Sequence, residues 1–293
     1  MDALTLVQLL VNATALGAAY ALVALGFVLV INATGAVNFA HGDLVMAGGF
    51  LSVALAGALP LPGIVLLPAV AALMALVGLA LSAAAYKPLR KRPPVAVFIS
   101  TIAVGVMLQN GANAVFGAAS RGGPPLMSAG ALSLGGLTLD DQSAAMIAVA
   151  TVLVAGTHLH LARTQLGRRM RATAQDPEMA RALGVRTDGM IALTFALAAA
   201  LAGVAGLLLS NRYFVTPGEG GGLMLKAYIA AVIGGWGRIG GAVIGALLIA
   251  LFESVVAAFL SQPVAEAALY AILLIVLFVR PGGILGETEG RRA

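Results

Sequence analysis

Three side chains capable of polar chemistry, Asn38, His41 and Asp43, stand close together in the stretch GAVNFAHGDLVMAGG. The sequence around them is apolar, and the next charged residue along the chain is Lys87. An ionisable group in such surroundings is costly unless it is paired, and in membrane proteins it commonly marks a substrate path or a gate. An amide, an imidazole and a carboxylate at this spacing could therefore line or gate a polar pathway.

Glycines divide this stretch and allow a helix to stop at Gly35 and Gly42. The amides of Asn32 and Asn38 can then bond the backbone groups that the stop sets free. Irregular backbone survives in lipid only where protein covers it or where it lines water, and transporters use broken helices at the substrate path. The candidates for the pathway or its gate are Asn38, His41, Gly42 and Asp43. The alternative is a turn at the membrane surface in which Asp43 caps the next helix.

A second polar group, in MLQNGAN, consists of Gln109, Asn110 and Asn113. Gln109 and Asn113 are four residues apart and share a helix face, so they too could look into the pathway. Hydrogen bonds between helices explain the same amides equally well. Glu253, within ALFESVV, is the other isolated polar residue. It either pairs with a basic group or holds a contact between two membrane subunits.

The elements that must position these groups are membrane-spanning helices, because 60% of the 293 residues are hydrophobic and only 10% are charged. Soluble domains carry about 25% charged residues, and about 20 apolar residues span a bilayer. The sequence therefore predicts an all-α integral membrane protein of about eight transmembrane helices with at least one broken or re-entrant segment. It forms one domain, 1–293. The predicted helices are 5–31, 42–58, 62–86, 95–116, 143–161, 190–210, 225–236 joined to 239–260, and 264–280.

Basic residues fall mainly in the 87–94 loop, the 162–189 loop and the C-terminal tail, which hold 13 of the 17 Lys and Arg residues. Two spans separate the two loops, so both lie on one side, and the positive-inside rule makes that side cytoplasmic. This placement explains the net charge of +5 without a nucleic-acid partner. The longer loop 116–142 is expected on the other side. The side of the N-terminus depends on whether 32–50 is re-entrant.

The sequence contains no motif for ATP binding or for catalysis. None of its three lysines is followed by Ser or Thr, so it contains no phosphate-binding P-loop. It has no cysteine, and His158 and His160 are two residues apart, so they face different sides of a helix and predict no metal site. Gly237, Gly241 and Gly245 are spaced for close helix packing. The expected protein is not an enzyme and binds no cofactor or metal.

The loop 162–189 contains a self-contained signal for a short helix, DPEMARALG. Asp176 can cap its N-terminus, Pro177 suits the first helical position, and Gly184 can adopt the left-handed conformation that ends it. So short a helix is unstable alone in water and must lie against something. It could rest on lipid headgroups as an amphipathic helix, or it could dock on a cytoplasmic partner.

This loop resembles the cytoplasmic signature loop of ABC importer permeases, with Ala174 and Gly184 ten residues apart. More narrowly, the chain resembles the permease of branched-chain amino-acid importers. The matching passages are GAAYALVALGFVLVINATGAVNFAHGDLVMAGGF (17–50), YKPLRKRPPVAVFISTIAVGVMLQN (86–110), RATAQDPEMARALGVRTDGMIALTFALAAALAGVAG (171–206), AYIAAVIGGWGRIGGAVIGALLIALFES (227–254) and FVRPGGILG (278–286).

The resemblance implies a permease subunit that alternates its access, driven by closure of partner ATPase subunits. The implied partners are a second homologous permease, two cytoplasmic ATPases that use ATP, and a periplasmic substrate-binding protein, all at the bacterial inner membrane. The coupling-helix residues carried over are Arg171, Ala174, Asp176, Pro177, Glu178, Ala180, Arg181, Leu183 and Gly184. The implied substrates are branched-chain amino acids, although close relatives import urea, short amides or other amino acids. An autonomous channel or ion-driven carrier is the alternative from another class.

Overall fold

The computed structural model describes residues 3–127, 131–134, 137–280 and 282–283, most of them in long helices joined by short turns. The helices are α1 (Ala3–Thr34), α2 (His41–Ala58), α3 (Gly63–Leu81), α4 (Pro94–Phe116), α5 (Asp141–Arg163), α6 (Gln165–Gln175), α7 (Pro177–Ala182), α8 (Thr187–Tyr213), α9 (Gly220–Gly234), α10 (Ile239–Phe259) and α11 (Gln262–Val279). A π-helical turn, Ser82–Tyr86, extends α3.

Eight of the described helices are long and apolar enough to cross a membrane, namely all except α6, α7 and α9. The protein is a multi-pass membrane protein, and the predicted all-α class is confirmed. When the π-helical turn is counted as part of α3, the predicted bounds of these eight helices agree with the structure to within three residues at each end. Short connections follow α2 and α10, where Pro60 and Pro62 come after the first helix and Pro263 lies in the first turn of α11.

The predicted segment 225–236 is the least accurate of the helix predictions. α9 begins five residues earlier and ends at Gly234, and a turn separates it from α10. Its 15 residues extend about 22 Å, less than the roughly 30 Å of a bilayer core. The residues 214–219 lead into it without forming a helix. α9 is therefore too short to cross the bilayer core by itself, whereas the break that the sequence predicted, within 32–50, corresponds to the connection between α1 and α2.

α1 is the central helix of the molecule. Within its apolar window 94% of the residues are buried, compared with 11% in α11. It packs against α5, α8, α9 and α10, whereas α8 packs against α2 and α3. A helix that is apolar on all sides is one that other helices surround, and the small residues along α1, such as Gly17 and Gly26, let its neighbours come close.

Polar contacts define the two ends of the bundle. At the end called here the basic end, Arg90 of the 87–94 loop bonds to Asp188 at the start of α8. At the opposite end, Arg212 near the end of α8 bonds to Ser143, and also to Asn12 at 2.9 Å. The side chain of Asn12 lies early in α1, so α1 starts at the opposite end and finishes at the basic end.

Three features of the loops differ from the sequence predictions. A hairpin of β1 (Ala131–Leu134) and β2 (Leu137–Asp140) stands within the loop expected to lack regular structure. Helix α6 precedes the short helix in the 162–189 loop. Gly237 lies outside α10, in a turn with φ +77°, so the stripe of three glycines on one helix was wrong for this residue. Part of the tail passage 278–286, and Arg291 and Arg292, lie outside the described residues.

Gly241 and Gly245 do allow the close packing that was predicted. A Cβ on Gly241 would overlap the carbonyl oxygen of Gly234, and one on Gly245 would overlap that of Ala230. Both contacts join α10 to α9. The close approach is therefore made within the chain.

Candidate functional site

The first candidate site is a polar junction, defined here as Asn38, His41, Asp43, Gln109 and Gly220, where the starts of α2 and α9 meet the side of α4. Its depth follows from His41, whose Nε2 lies 2.9 Å from the carbonyl oxygen of Val23. Val23 is eleven residues before the end of α1, a distance of about 16 Å along the helix. The connection 35–40 thus runs back along α1, and α2 begins well inside the bundle.

Asp43 occupies the centre of the polar junction and is 5% exposed. The Nε2 amide of Gln109 donates to its Oδ1 at 2.9 Å. Glycines bring the neighbouring backbones against the same carboxylate, since a Cβ added to Gly105 or Gly220 would overlap its oxygens. Among the described residues no basic side chain forms an ion pair with Asp43. The carboxylate is therefore held by an amide and by tight backbone packing.

The structure contradicts the alternative in which Asp43 caps α2. The N-cap position belongs to Ala40, and no side chain bonds the free N–H groups there. Asp43 lies in the first turn, where the helix dipole favours a negative charge, and its bonded partner is on α4.

Asn38 and His41 are both fully enclosed. The Oδ1 of Asn38 accepts the N–H of Ala40 at 3.2 Å, so this amide does bond backbone that the helix stop sets free, as predicted. Asn32 instead donates from Nδ2 to the carbonyl oxygen of Gly237 at 2.7 Å. His41 packs its ring beside Phe27, with 6.4 Å between the ring centroids. In this conformation His41 faces α1.

The amides of α4 separate into one that joins the polar junction and two that do not. Gln109 is half-buried and bonds Asp43, as described. Asn110 is exposed, and its Nδ2 donates to the carbonyl of Val106 on its own helix at 2.8 Å. Asn113 is also exposed. The shared helix face of Gln109 and Asn113 therefore does not bring both to the same site within this chain.

The second candidate site is the coupling helix α7, at the basic end. The Oδ1 of Asp176 accepts the N–H groups of Glu178 and Met179, both at 2.9 Å. Pro177 holds the first helical position, and Gly184 has φ +82°. Each local signal for this helix is present in the structure.

Only one side of α7 is covered. Ala180 is 3% exposed, whereas Met179 is 59% and Leu183 is 78% exposed. Met179 and Leu183 are four residues apart, so they form one apolar strip on the outside of the helix. Among the residues that the structure describes, nothing buries this strip.

A set of polar contacts ties α7 to the bundle. The Nη2 of Arg181 donates to Oγ1 of Thr187 at 3.0 Å and lies 3.9 Å from the carboxylate of Asp188. Asp188 also bonds Arg90, in the loop before α4. These contacts connect α7 both to the start of α8 and, through Asp188, to the loop that leads into α4.

α6 supports α7 from beneath. It buries Gly167, Met170 and Thr173 at intervals of three residues, while Arg171 is exposed. Ala174 lies with Pro177 on the wall of a cavity of about 580 Å³ between this loop and the bundle. The sequence analysis missed α6, although the spacing of its apolar residues among many arginines was a usable signal.

The family described as "Branched-chain amino acid transport system / permease component" matches residues 9–278. The chain belongs to this family. The high-affinity branched-chain amino acid transport system permease protein LivH of Salmonella typhimurium is 34% identical over 96% of each chain. BraD of Pseudomonas aeruginosa, with the same description, is 33% identical over 96% of each chain. A probable LivH of Methanocaldococcus jannaschii is 28% identical over 90% of this chain and 88% of its own.

A solved structure shares the fold of this permease family member. A chain in "PsaBC from Streptococcus pneumoniae in complex with Fab" superposes with a TM-score of 0.52 over 92% of this chain and 91% of that chain. The two sequences are 15% identical, so the likeness concerns the fold alone.

One cluster of this permease family member was found only in the structure. Glu253, 2% exposed, pairs with Lys226 at 2.7 Å between Oε1 and Nζ. Tyr20 donates its hydroxyl to Oε2 of Glu253 at 3.2 Å, and Gln262 donates to Oε1 at 2.6 Å. Of the two roles left open for Glu253, pairing with a basic group is confirmed.

Proposed function

We propose that this chain is the transmembrane permease subunit of an ABC importer for branched-chain aliphatic amino acids. Its relatives across nearly the whole length carry that description. The observation that carries the proposal is the coupling helix, whose uncovered apolar strip of Met179 and Leu183 needs a protein partner in water. Lipid headgroups are the alternative, and basic loops favour them, but the guanidinium of Arg181, although exposed, bonds Thr187 and lies near Asp188 of its own chain.

The proposed partners follow from the same helix and from the family. Two cytoplasmic ATPase subunits consume ATP, and one of them binds α7 of this chain. A second homologous permease completes the membrane part, and a periplasmic binding protein delivers the solute. This chain would be one permease domain over 1–293 of the bacterial inner membrane. It would bind no cofactor or nucleic acid and catalyse no reaction itself.

The polar junction is the proposed gate. Two helices that begin inside the bundle, α2 and α9, meet there around one carboxylate, which is how transporters place irregular backbone beside a solute path. Asn38, His41 and Asp43 set the start of α2, and Gly42 lets α9 pass close to it. Gln109 links this point to α4. Asn110 and Asn113 are exposed on the outside of this chain, so they could line a solute path only where this surface faces a neighbouring permease.

The proposed coupling is tested by charge reversal at Arg181. In Arg181→Glu the new carboxylate faces Asp188 and loses the bond to Thr187, so α7 should no longer move with α8. In proteoliposomes that hold the full complex, we expect ATP-driven leucine uptake to fall at least about tenfold. The amount of the permease in the membrane should not change.

Leu183→Glu tests whether the apolar strip is the docking surface. The control is Met127→Glu, an apolar residue at the opposite end that is also exposed, 49% compared with 78% for Leu183. We expect the ATPases to co-purify with the control and not with Leu183→Glu. Normal co-purification with Leu183→Glu, or leucine uptake by the isolated chain in liposomes without ATP, would contradict the proposed function.

A further inference from the structure

At the opposite end of the bundle from α7, the structure contains a cavity of about 340 Å³ between α1, α8, α9, α10 and α11. Its charged lining consists of Glu219, Lys226, Glu253 and Glu266, with Tyr20, Tyr213, Ser254 and Gln262 as further polar residues, and we call it the carboxylate cavity. Ligand sites commonly have volumes from about 300 Å³ upward. The carboxylate cavity is thus large enough for a small solute and lies far from the coupling helix.

At the base of the carboxylate cavity, the charge of Lys226 is neutralised by a buried ion pair. The Lys226 ammonium donates to Oε1 of Glu253 at 2.7 Å and to the hydroxyl of Tyr20 at 2.8 Å. It lies 3.7 Å from Oε1 of Glu266. Since Glu253 takes up the single positive charge, and also accepts from Tyr20 and Gln262, this pair satisfies itself as buried charges must.

Two carboxylates of the carboxylate cavity are left in excess. Glu219 is half-buried, and its Oε2 receives one long bond of 3.4 Å from the N–H of Thr216. Burial raises the pKa of the Glu219 carboxyl above its ordinary value; the bond from Thr216 and the charge of Lys226 oppose this rise, and the charge of Glu266 adds a smaller contribution to it. Among the residues that the structure describes, the ion pair of Glu266 is the 3.7 Å contact with Lys226. A cation that entered between Glu219 and Glu266 would relieve this repulsion.

The apolar part of the wall of the carboxylate cavity is built by Leu16, Leu209 and Leu223. We infer that the carboxylate cavity binds the α-ammonium group of an aliphatic amino acid. Glu219 and Glu266 are its ligands, and the three leucines receive the aliphatic side chain. Glu219 directly precedes Gly220 of the polar junction, so a solute held here stands next to the proposed gate. This inference rests on the proposed function, whose substrate class it deepens.

The first test measures leucine binding to the full complex in nanodiscs of phosphatidylglycerol, without ATP or binding protein. We expect Glu219→Gln and Glu266→Gln each to weaken leucine binding about tenfold, because each removes a bond between opposite charges. Asp141→Asn, which removes a carboxylate at the same end but outside the carboxylate cavity, should bind as wild type does. Unchanged affinity in both Gln variants would overturn the assignment.

The second test uses leucine analogues on the unaltered complex and needs no variant. 3-Methylbutylamine keeps the ammonium and the branched chain, whereas 4-methylpentanoate keeps the carboxylate. The amine should displace leucine and the acid should not; the reverse order would overturn the inference. Adding phosphatidylethanolamine should leave leucine binding unchanged, and displacement by this aminolipid would assign the carboxylate cavity to lipid instead.

The two proposals fail in different ways. If the wild-type complex with its binding protein does not import leucine, the proposed function is wrong. If it imports leucine while both Gln variants keep wild-type binding affinity, the proposed function stands and only the ammonium site is wrong.

Discussion

At the scale of single residues, the molecule holds two buried carboxylates in different ways. Glu253 has a full ionic partner in Lys226, whereas Asp43 is held by the Gln109 amide and two glycine backbones. The sequence singled out both acids, because each interrupts an apolar run. It could not name the partners, since Lys226 precedes Glu253 by 27 residues and Gln109 follows Asp43 by 66, and no helical spacing connects residues so far apart.

Lys226→Met should be strongly destabilising, because it leaves the Glu253 carboxylate buried without its cation. The cost of breaking such a pair is about 3–5 kcal/mol. Thermal unfolding of the purified protein in detergent would show this as a lower Tm. The double variant Lys226→Met/Glu253→Met should recover most of the loss. No recovery in the double variant would mean that the ion pair is not what the single variant breaks.

Gly220→Ala should block transport, since the added Cβ would overlap the Asp43 carboxylate and push α9 away from α2. We expect leucine uptake by the full complex to fall about tenfold or more. Gly221→Ala is the matched control, because nothing lies within 4 Å of a Cβ at that neighbouring position. Equal uptake by the two variants would argue against a gate at the polar junction.

At the scale of elements, the sequence predicted correctly what depends on neighbouring residues, and it failed where a structure depends on residues far away in the chain. α7 was predicted residue by residue, because its cap, its proline and its terminal glycine all act within one turn. The start of α9 was predicted five residues too late, because the glycines at its start resemble a loop. Their role becomes visible only in the structure, where Gly220 packs against Asp43. Gly237 was assigned to α10 on spacing alone, although it forms the turn whose carbonyl Asn32 binds.

Gly184→Pro should uncouple the transporter. Gly184 has φ +82°, whereas proline requires about −65°, so the chain after α7 would leave in another direction. We expect membrane insertion to persist and ATP-driven uptake to be lost. Gly184→Asn is the control, because asparagine tolerates the left-handed conformation, and it should keep most of the uptake. Full uptake by the proline variant would show that the exit from α7 does not matter for coupling.

At the scale of the whole molecule, the number of spans followed from composition, but their arrangement did not. Apolar length identifies a span, yet it does not tell a central helix such as α1 from a peripheral one such as α11. The structure also decides the side of the N-terminus relative to the basic loops, which the sequence left open. α1 begins at the end where Arg212 contacts Asn12, away from Arg90 and the coupling helix.

This orientation can be tested directly, because the chain contains no cysteine. Ser261→Cys places one thiol in the exposed turn between α10 and α11, at the opposite end. Lys91→Cys places one at the basic end. A membrane-impermeant maleimide applied to intact spheroplasts should label Ser261→Cys, and should label Lys91→Cys only after the membrane is opened. The reverse pattern would invert the proposed orientation.

The central position of α1 has a consequence for how the chain is made. α1 leaves the ribosome well before the helices that cover it, α5, α8, α9 and α10. The Tyr20 hydroxyl waits 206 residues for Lys226 and 233 for Glu253. Until then α1 is surrounded by lipid, which its hydropathy permits, and the Tyr20 hydroxyl needs a temporary hydrogen-bond partner. Completion of the C-terminal half is thus the step that locks the first helix in place, and truncated products should expose α1 to the cell's quality control.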